Sequence, residues 1–108
     1  MSVNKIILIG FVGKDPEMRY PEKDFAVARL SLATSEPRGP NGVEVTDWHT
    51  CIFTGKQAAV VERYVKKGSH LYIEGKMRYR DYEDRFKIKR RAAEVEVNNF
   101  EILGRASQ

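Results

Sequence analysis

Only one segment of this chain has helical periodicity, and this feature constrains the possible folds of the chain more than any other. Residues 56–67, KQAAVVERYVKK, end with two lysines before Gly68, as expected at a helix C-terminus. The apolar residues of this segment recur at helical spacing: Val60, Val61, Tyr64 and Val65. Elsewhere the apolar residues alternate with polar ones or form short branched runs, which is typical of strands. The sequence therefore predicts a mostly β protein with one internal helix.

Five segments have the character of strands, and they cover residues 3–12, 25–34, 45–54, 70–80 and 86–103. In the third strand, His49, Cys51 and Phe53 share the face that is predicted to be buried. The fifth is predicted to bend near residues 91–93, where its alternation shifts. The segments between strands are rich in Pro, Gly, Asn or charged residues and are predicted loops or turns: 13–24, 35–44 and 81–85.

Three strands, a helix and two strands make the order of an OB-fold, a small Greek-key barrel. We therefore predict an all-β, five-stranded OB-fold barrel with one α-helix between strands 3 and 4. The chain has 108 residues, 42% of them apolar, which suits one compact core. The predicted domain covers residues 1–104, and residues 105–108 form a short C-terminal end. Element order alone does not define a function.

The segment KMRYRDYEDRFKIKRR, residues 76–91, combines cations with aromatic rings. It holds eight Lys or Arg against three acids, whereas the whole chain has a net charge of only +4. Strand alternation places four of these side chains on one face: Lys76, Arg78, Arg80 and Tyr82. A cationic groove with rings on which bases stack is how single-stranded nucleic acids are bound. A solvated hairpin whose tyrosines pack locally is the alternative, and from the residues alone both stay open.

Trp48, the only tryptophan, shares its strand face with threonines and one isoleucine. This face lies opposite the one that holds Cys51 and Phe53. Trp48 is therefore predicted either to face outward, where it can stack on a base, or to be partly buried in the core.

Several classes of function have no support in the residues. The two histidines, His49 and His70, lack Cys, His or Glu partners at ligand spacing, so we expect no zinc site. The segment GFVGKD lacks the Gly and Ser/Thr that a phosphate-binding P-loop needs, and no nucleophile elbow is present. The acids of residues 81–85 are interpreted as a polar turn rather than a cation site. We expect no enzymatic activity, no metal and no cofactor.

The single cysteine, Cys51, excludes a disulfide within the chain and fits a reducing compartment. The apolar start, MSVNKIILIGFVG, is short and lacks the basic region of a signal peptide. No stretch approaches the roughly 20 apolar residues of a membrane span. We therefore expect a cytoplasmic protein without membrane contact.

Four stretches follow one another in a specific order: VNKIILIGFVGKDPEMRY, VARLSLATSE, TDWHTCIFTGKQAAVVERYVKKGSHLYIEGKMRYRDYED and NNFEILG. In these stretches, which cover nearly the whole chain, the sequence resembles the bacterial single-stranded DNA-binding protein family. The resemblance implies an OB-fold that coats and protects single-stranded DNA (ssDNA) in replication, recombination and repair, without sequence preference and without catalysis. It also implies a homo-oligomer, expected to be a homotetramer. The implied subunit contacts lie near Lys5, Ile7, Ile9 and His49.

The resemblance also assigns roles to individual residues. Trp48 matches the family's stacking tryptophan, and Tyr82 matches an aromatic position that is often Trp. Basic positions along the DNA path are matched by Lys56, Lys67, Arg78 and Arg80. The predicted DNA-binding set is completed by Arg38, Lys76, Tyr79, Phe86, Lys87 and Lys89.

The sequence departs from the family pattern in three places. Thr54 stands where the family has a stacking aromatic residue, and Arg38 stands where Trp is frequent. We expect weaker stacking, offset by the extra charge of Arg85, Lys87, Lys89, Arg90 and Arg91. The chain also stops at GRASQ, without the linker and acidic tail through which the family recruits partners, so tail-mediated partners are not expected. A plasmid- or phage-borne member and a truncated chain both account for this ending.

Two other interpretations are weighed against this one. An OB-fold accessory protein of replication restart or conjugation would act mainly through a protein partner. An OB-fold nuclease would need carboxylates gathered on the barrel wall, whereas here they lie in one turn among cations: Asp81, Glu83 and Asp84. Stacking and charge do not exclude RNA as a ligand.

Overall fold

The computed structural model describes residues 1–105, and within them one helix and six strands form. The elements are β1 (Ile6–Val12), β2 (Glu17–Glu22), β3 (Phe25–Arg38), β4 (Val43–Thr54), α1 (Lys56–Tyr64), β5 (His70–Glu83) and β6 (Lys89–Gly104). The predicted C-terminal end at residues 105–108 lies outside the described residues, apart from Arg105. No helix in the described part is long and apolar enough to cross a membrane.

Five of the strands form a closed ring. The sheet order is β1-β5-β6-β4-β3-β2, and β1 also pairs with β3, which joins the two ends of the ring. All pairs are antiparallel except β4 with β6, which run parallel where Cys51 faces Val95. The predicted all-β barrel of five strands with one helix is therefore confirmed. The strand count is six, because β2 lies outside the ring and pairs with β3 alone.

The barrel interior is filled by the alternate residues of the ring strands. Cys51 and Phe53 of β4 are fully buried, as predicted, and the Phe53 ring meets Phe100 edge-on at 5.0 Å between centroids. Helix α1 contributes Ala58 and Val61, both fully buried, to the same core. The remaining core residues are Leu8, Val12, Ala28, Leu30, Leu32, Val65, Leu71, Ile73, Val95 and Val97. Helix α1 therefore packs its apolar side on the barrel.

The prediction of a loop over residues 13–24 is wrong, because β2 forms there. Glu17, Met18 and Arg19 pair with residues of β3, and the register shifts between Arg19 and Glu22, around Pro21. Proline lacks a backbone N–H, so it fits at an irregular position of an edge strand. The many charges of this segment indicated a loop, but an edge strand with solvent on one side carries them equally well.

The predicted ends of several elements are also wrong. β3 continues to Arg38, so the loop predicted over residues 35–44 shrinks to a short turn near residues 39–42. β5 continues to Glu83, so the turn predicted at residues 81–85 lies instead at residues 84–88. Both hairpins extend past the barrel, where cross-strand pairs replace core contacts; Ser35 Oγ, for example, lies 2.8 Å from Thr46 Oγ1. Helix α1 ends at Tyr64 rather than residue 67, because the next residue is already extended.

Two glycines allow β1 and β5 to approach their neighbours closely. A Cβ atom at Gly10 would lie 2.1 Å from the carbonyl oxygen of Ala33, and one at Gly75 would lie 2.2 Å from that of Glu96. Both contacts involve backbone atoms, which cannot move aside as a flexible side chain can. Glycine is therefore required where the strands bend into a barrel.

We expect Phe53→Ala to lower the free energy of unfolding by about 3–5 kcal/mol, because it leaves a cavity in the centre of the core. Urea denaturation measures this value. The control is Val43→Ala on the same strand, where the exposed side chain should contribute within about 0.5 kcal/mol. A loss below about 1 kcal/mol for Phe53→Ala would contradict the central position of this ring.

Candidate nucleic-acid interface

The β5–β6 hairpin projects beyond the barrel. In β5 the alternation of buried residues ends at Gly75, and every side chain from Arg78 to Glu83 is exposed. Both faces of the hairpin are thus open to a ligand along this part. A groove of about 550 Å³ runs along it, between residues 81–83 and 89–91.

The outer face of β5 carries the predicted row of cations and an aromatic ring. Lys76, Arg78, Arg80 and Tyr82 occupy alternate positions on one face, and the Arg80 guanidinium carbon lies 5.4 Å from the centroid of the Tyr82 ring. This distance is typical of a cation–π contact. Tyr79 points to the opposite face of the hairpin and is also exposed. The structure therefore brings four of the predicted residues into one row.

Asp84 organises the tip of the hairpin. Its carboxylate accepts hydrogen bonds from the backbone N–H groups of Phe86 at 2.8 Å and Ile88 at 3.0 Å, and from Arg90 Nε at 3.0 Å. These bonds lower the pKa of Asp84, the backbone bond from Ile88 most of all. The turn also holds Lys87 at φ 62°, a left-handed conformation. Asp84 is therefore part of a polar turn, in which its carboxylate accepts hydrogen bonds from the turn backbone and from Arg90.

At the tip itself, an exposed ring again lies next to cations. Phe86 is exposed, and the Arg85 guanidinium carbon lies 4.9 Å from its ring centroid. Lys87 and Lys89 flank the same turn and are exposed as well. The tip thus repeats the combination of charge and ring found on the outer face of β5.

Trp48 faces outward on β4, with 61% of its surface exposed, so the core alternative is wrong. Its indole lies over Gly13, because a Cβ atom there would come within 2.3 Å of the ring. Arg29, whose register partner on β4 is Ile52, lies on the same outer surface. Ile52 is four residues from Trp48, or about 13 Å along the strand. A flat ring is therefore held open to solvent on the outer wall of the barrel.

The other predicted DNA-binding residues lie on separate elements. Arg38, at the end of β3, is paired with Glu36 at 3.5 Å and with Asp47 at 3.8 Å. Lys56 begins helix α1, and the backbone N–H of Lys67 donates to Asp15 at 2.8 Å. These three residues are not part of the row on β5.

The residues predicted at subunit contacts lie in two separate places, on β1 and on β4. The outer face of β1 exposes an apolar stripe, which we define as Ile7, Ile9 and Phe11, each between 53% and 56% exposed. The Phe11 ring stacks on His70 at 4.4 Å. Lys5 continues this edge and pairs with Glu74 at 3.7 Å.

His49 lies apart from the apolar stripe. It is half-buried on β4, and its Nε2 atom lies 2.8 Å from Thr34 Oγ1. On the same side of β4, burial raises the pKa of the Cys51 thiol to about 12, which keeps the thiol protonated.

Sequence reasoning missed two acidic residues that contact the row on β5, and Arg29, which contacts one of them. Glu96 accepts from Arg78, and Glu94 lies between Arg80 and Arg29. The signal was present in AAEVEV, where two glutamates alternate opposite KMRYR in an antiparallel hairpin. It was hidden because the register shifts by one residue between Glu74 and Gly75.

The carboxylates that could bind a metal cation already accept hydrogen bonds within the hairpin. Asp81 accepts a hydrogen bond from Arg91 Nε at 2.9 Å, and Asp84 is occupied by the turn and Arg90. Over residues 1–105 no group of three or more His, Cys, Asp or Glu side chains is arranged to hold a metal ion.

The sequence is similar to known single-stranded DNA-binding proteins over most of its length. The sequence model of the Single-strand binding protein family matches residues 3–103. A single-stranded DNA-binding protein of Bacteroides thetaiotaomicron is 44% identical over 109 residues, which cover 95% of this chain and 67% of that protein. Proteins of the same name from Neisseria meningitidis serogroup A and Xanthomonas axonopodis pv. citri are 41% and 35% identical, over 96% and 95% of this chain. The chain spans 62% and 59% of the length of these two relatives.

We expect Asp84→Asn to speed hydrogen exchange at the amides of Phe86 and Ile88 near pH 7, because the charged acceptor is lost. The folded pKa of Asp84 lies below its unfolded value of 3.8, so its contribution is present above pH 3.8 and is lost as pH falls through the folded pKa. The ratio of variant to wild-type exchange rates, measured by NMR, should therefore approach one in strong acid. Glu83→Gln serves as the control, and equal rates for Asp84→Asn and wild type near pH 7 would contradict the assigned role.

Proposed function

The chain belongs to the single-strand binding protein family, and from this we propose that it binds ssDNA without sequence preference. The single observation that carries the proposal is the row of Lys76, Arg78, Arg80 and Tyr82 on one exposed strand face. The names of its relatives support the same ligand. Cations neutralise phosphates and rings stack on bases, so one surface holds both parts of a single strand.

The spacing of the row suits an extended strand of DNA. Alternate residues of a β-strand lie about 6.5–7 Å apart, which is close to the pitch of a stretched nucleic-acid backbone. Every base has a flat face, and stacking on an aromatic ring contributes about 1–3 kcal/mol per base. We propose that Trp48, Tyr82, Tyr79 and Phe86 stack on bases. The proposed phosphate contacts are Arg38, Lys56, Lys67, Lys76, Arg78, Arg80, Lys87 and Lys89.

We further propose that the protein coats and protects ssDNA during replication, recombination and repair, in the cytoplasm at the nucleoid. Binding without chemical conversion is the expected activity, with neither metal nor cofactor. The role of an accessory protein that acts through a protein partner is the second candidate. It would be favoured by weak ssDNA binding, because the apolar stripe would then have another use.

We propose that the active form is a homotetramer in which the apolar stripe of β1 lies at a subunit contact, with Lys5 and His49 nearby. Three apolar side chains exposed on one strand face support this, because such patches mark interaction sites. The stripe lies on the first strand of the ring, whereas the cations lie on the distal hairpin. Subunits could therefore associate without covering the row on β5.

We expect poly(dT) to quench the fluorescence of Trp48, and a duplex of equal length to leave it nearly unchanged. Trp48→Ala should weaken binding about 5- to 150-fold, which corresponds to the loss of one stacked base. Fluorescence anisotropy of labelled oligo(dT) measures this, with Tyr64→Ala as the control because Tyr64 is an exposed ring on helix α1. Equal binding by wild type and Trp48→Ala would remove Trp48 from the interface.

We expect Ile9→Glu to convert the tetramer into smaller species, because it places a charge within the apolar stripe. Sedimentation equilibrium or light scattering gives the mass of the assembly. Val43→Glu is the matched control, since Val43 is also an exposed apolar residue, at 62% against 54% for Ile9, but lies on the β3–β4 hairpin. A tetramer that survives Ile9→Glu would assign the subunit contact to another surface.

A further inference from the structure

We propose that Glu94 and Glu96 act as internal competitors for phosphate. They hold the cations of the outer hairpin face in ion pairs, and so they set both the affinity for ssDNA and its dependence on salt. The inference rests on the proposed function, and it adds two acidic residues that set affinity to an interface otherwise described by cations and rings.

Glu94 is the more enclosed of the two. Its carboxylate oxygen Oε2 lies 3.1 Å from a terminal nitrogen of Arg80 on β5 and 3.4 Å from one of Arg29 on β3. Only 12% of its side chain is exposed. One carboxylate thus joins cations from two strands.

Glu96 makes the equivalent contacts one step closer to the barrel. Its Oε2 atom accepts a hydrogen bond from Arg78 Nε at 2.9 Å, and its Oε1 atom lies 3.9 Å from Lys76 Nζ. The side chain is 46% exposed, so incoming phosphates can reach the same cations. The two glutamates therefore engage every cation of the row on β5.

The tip of the hairpin is different. Arg85, Lys87 and Lys89 make none of the ion pairs found in residues 1–105. A phosphate near the tip meets these three cations beside the ion pairs Arg90–Asp84 and Arg91–Asp81, whereas near the barrel it meets four cations that share two carboxylates. An exposed ion pair such as Arg78–Glu96 contributes only about 0–1 kcal/mol, so a phosphate can displace or share it. Within residues 1–105 the tip therefore offers three cations outside any ion pair, whereas every cation of the row on β5 is already paired.

Replacing the glutamates with neutral residues distinguishes two possible roles, because the expected changes in affinity for ssDNA have opposite signs. If the glutamates compete, removing their charge frees cations and strengthens binding. If they mainly position the guanidinium groups, removing it disorders the cations and weakens binding. The dependence on salt separates the two, because each additional phosphate contact on a single strand steepens the slope of log K against log salt by about 0.7.

The test is a titration of labelled oligo(dT), followed by anisotropy over a series of salt concentrations. We expect the double variant Glu94→Gln/Glu96→Gln to bind about 3- to 10-fold more tightly near 0.1 M salt, with a steeper slope. Glu101→Gln changes the net charge by one unit on the same strand but makes none of the ion pairs of residues 1–105, so it should behave nearly as wild type. Glu94→Asp/Glu96→Asp keeps both charges and should keep the wild-type slope.

Each outcome has a defined meaning. Wild-type protein that does not bind oligo(dT) would refute the proposed function itself. Wild-type binding with a double variant that matches Glu101→Gln, or binds more weakly than wild type, would overturn the competitor role alone. Thermal denaturation of each variant shows whether it folds. If the double variant does not, Glu96→Gln alone replaces it, because that half-exposed carboxylate contributes little to the core.

Discussion

The structure depends on the hydrogen bonding of β1 along both of its edges. β1 pairs with β5 through residues 6–11 and with β3 through Phe11 and Val12, and these two pairings close the ring. Closure encloses Leu8 and Val12 in the core and leaves their neighbours on the outer wall. It also requires Gly10, because no side chain fits against the Ala33 carbonyl. The barrel is therefore the fixed platform from which both hairpins project.

The combination of a closed barrel with long hairpins separates stability from binding. β5 contributes Leu71 and Ile73 to the core, and the same strand then carries Arg78 and Arg80 beyond it. Because one strand does both, the cations are held by a rigid element rather than a mobile loop. Surface changes on the hairpin can therefore alter the electrostatics of binding with little effect on the core.

The spacing of apolar residues predicted the ring strands, the helix and the burial of Cys51 and Phe53, because core contacts repeat every second residue in a strand and every three or four in a helix. The order of these elements then predicted the barrel. The spacing failed for β2 and for the hairpin ends, where strands continue without a core and charged side chains give no period. The row of Lys76, Arg78 and Arg80 followed from the same alternation. Their pairing with Glu94 and Glu96 did not, since contacts across a hairpin depend on register, and a bulge shifts it.

The edge strand β2 matters for a protein that would crowd along one strand of DNA. Copies held side by side reach high local concentrations, at which an open sheet edge invites strand addition from a neighbour. β2 carries Pro21, which has no backbone N–H to donate, an irregular register and exposed charges such as Arg19 and Glu22. Neighbouring copies would thus stay individually folded and separable, however densely they are packed.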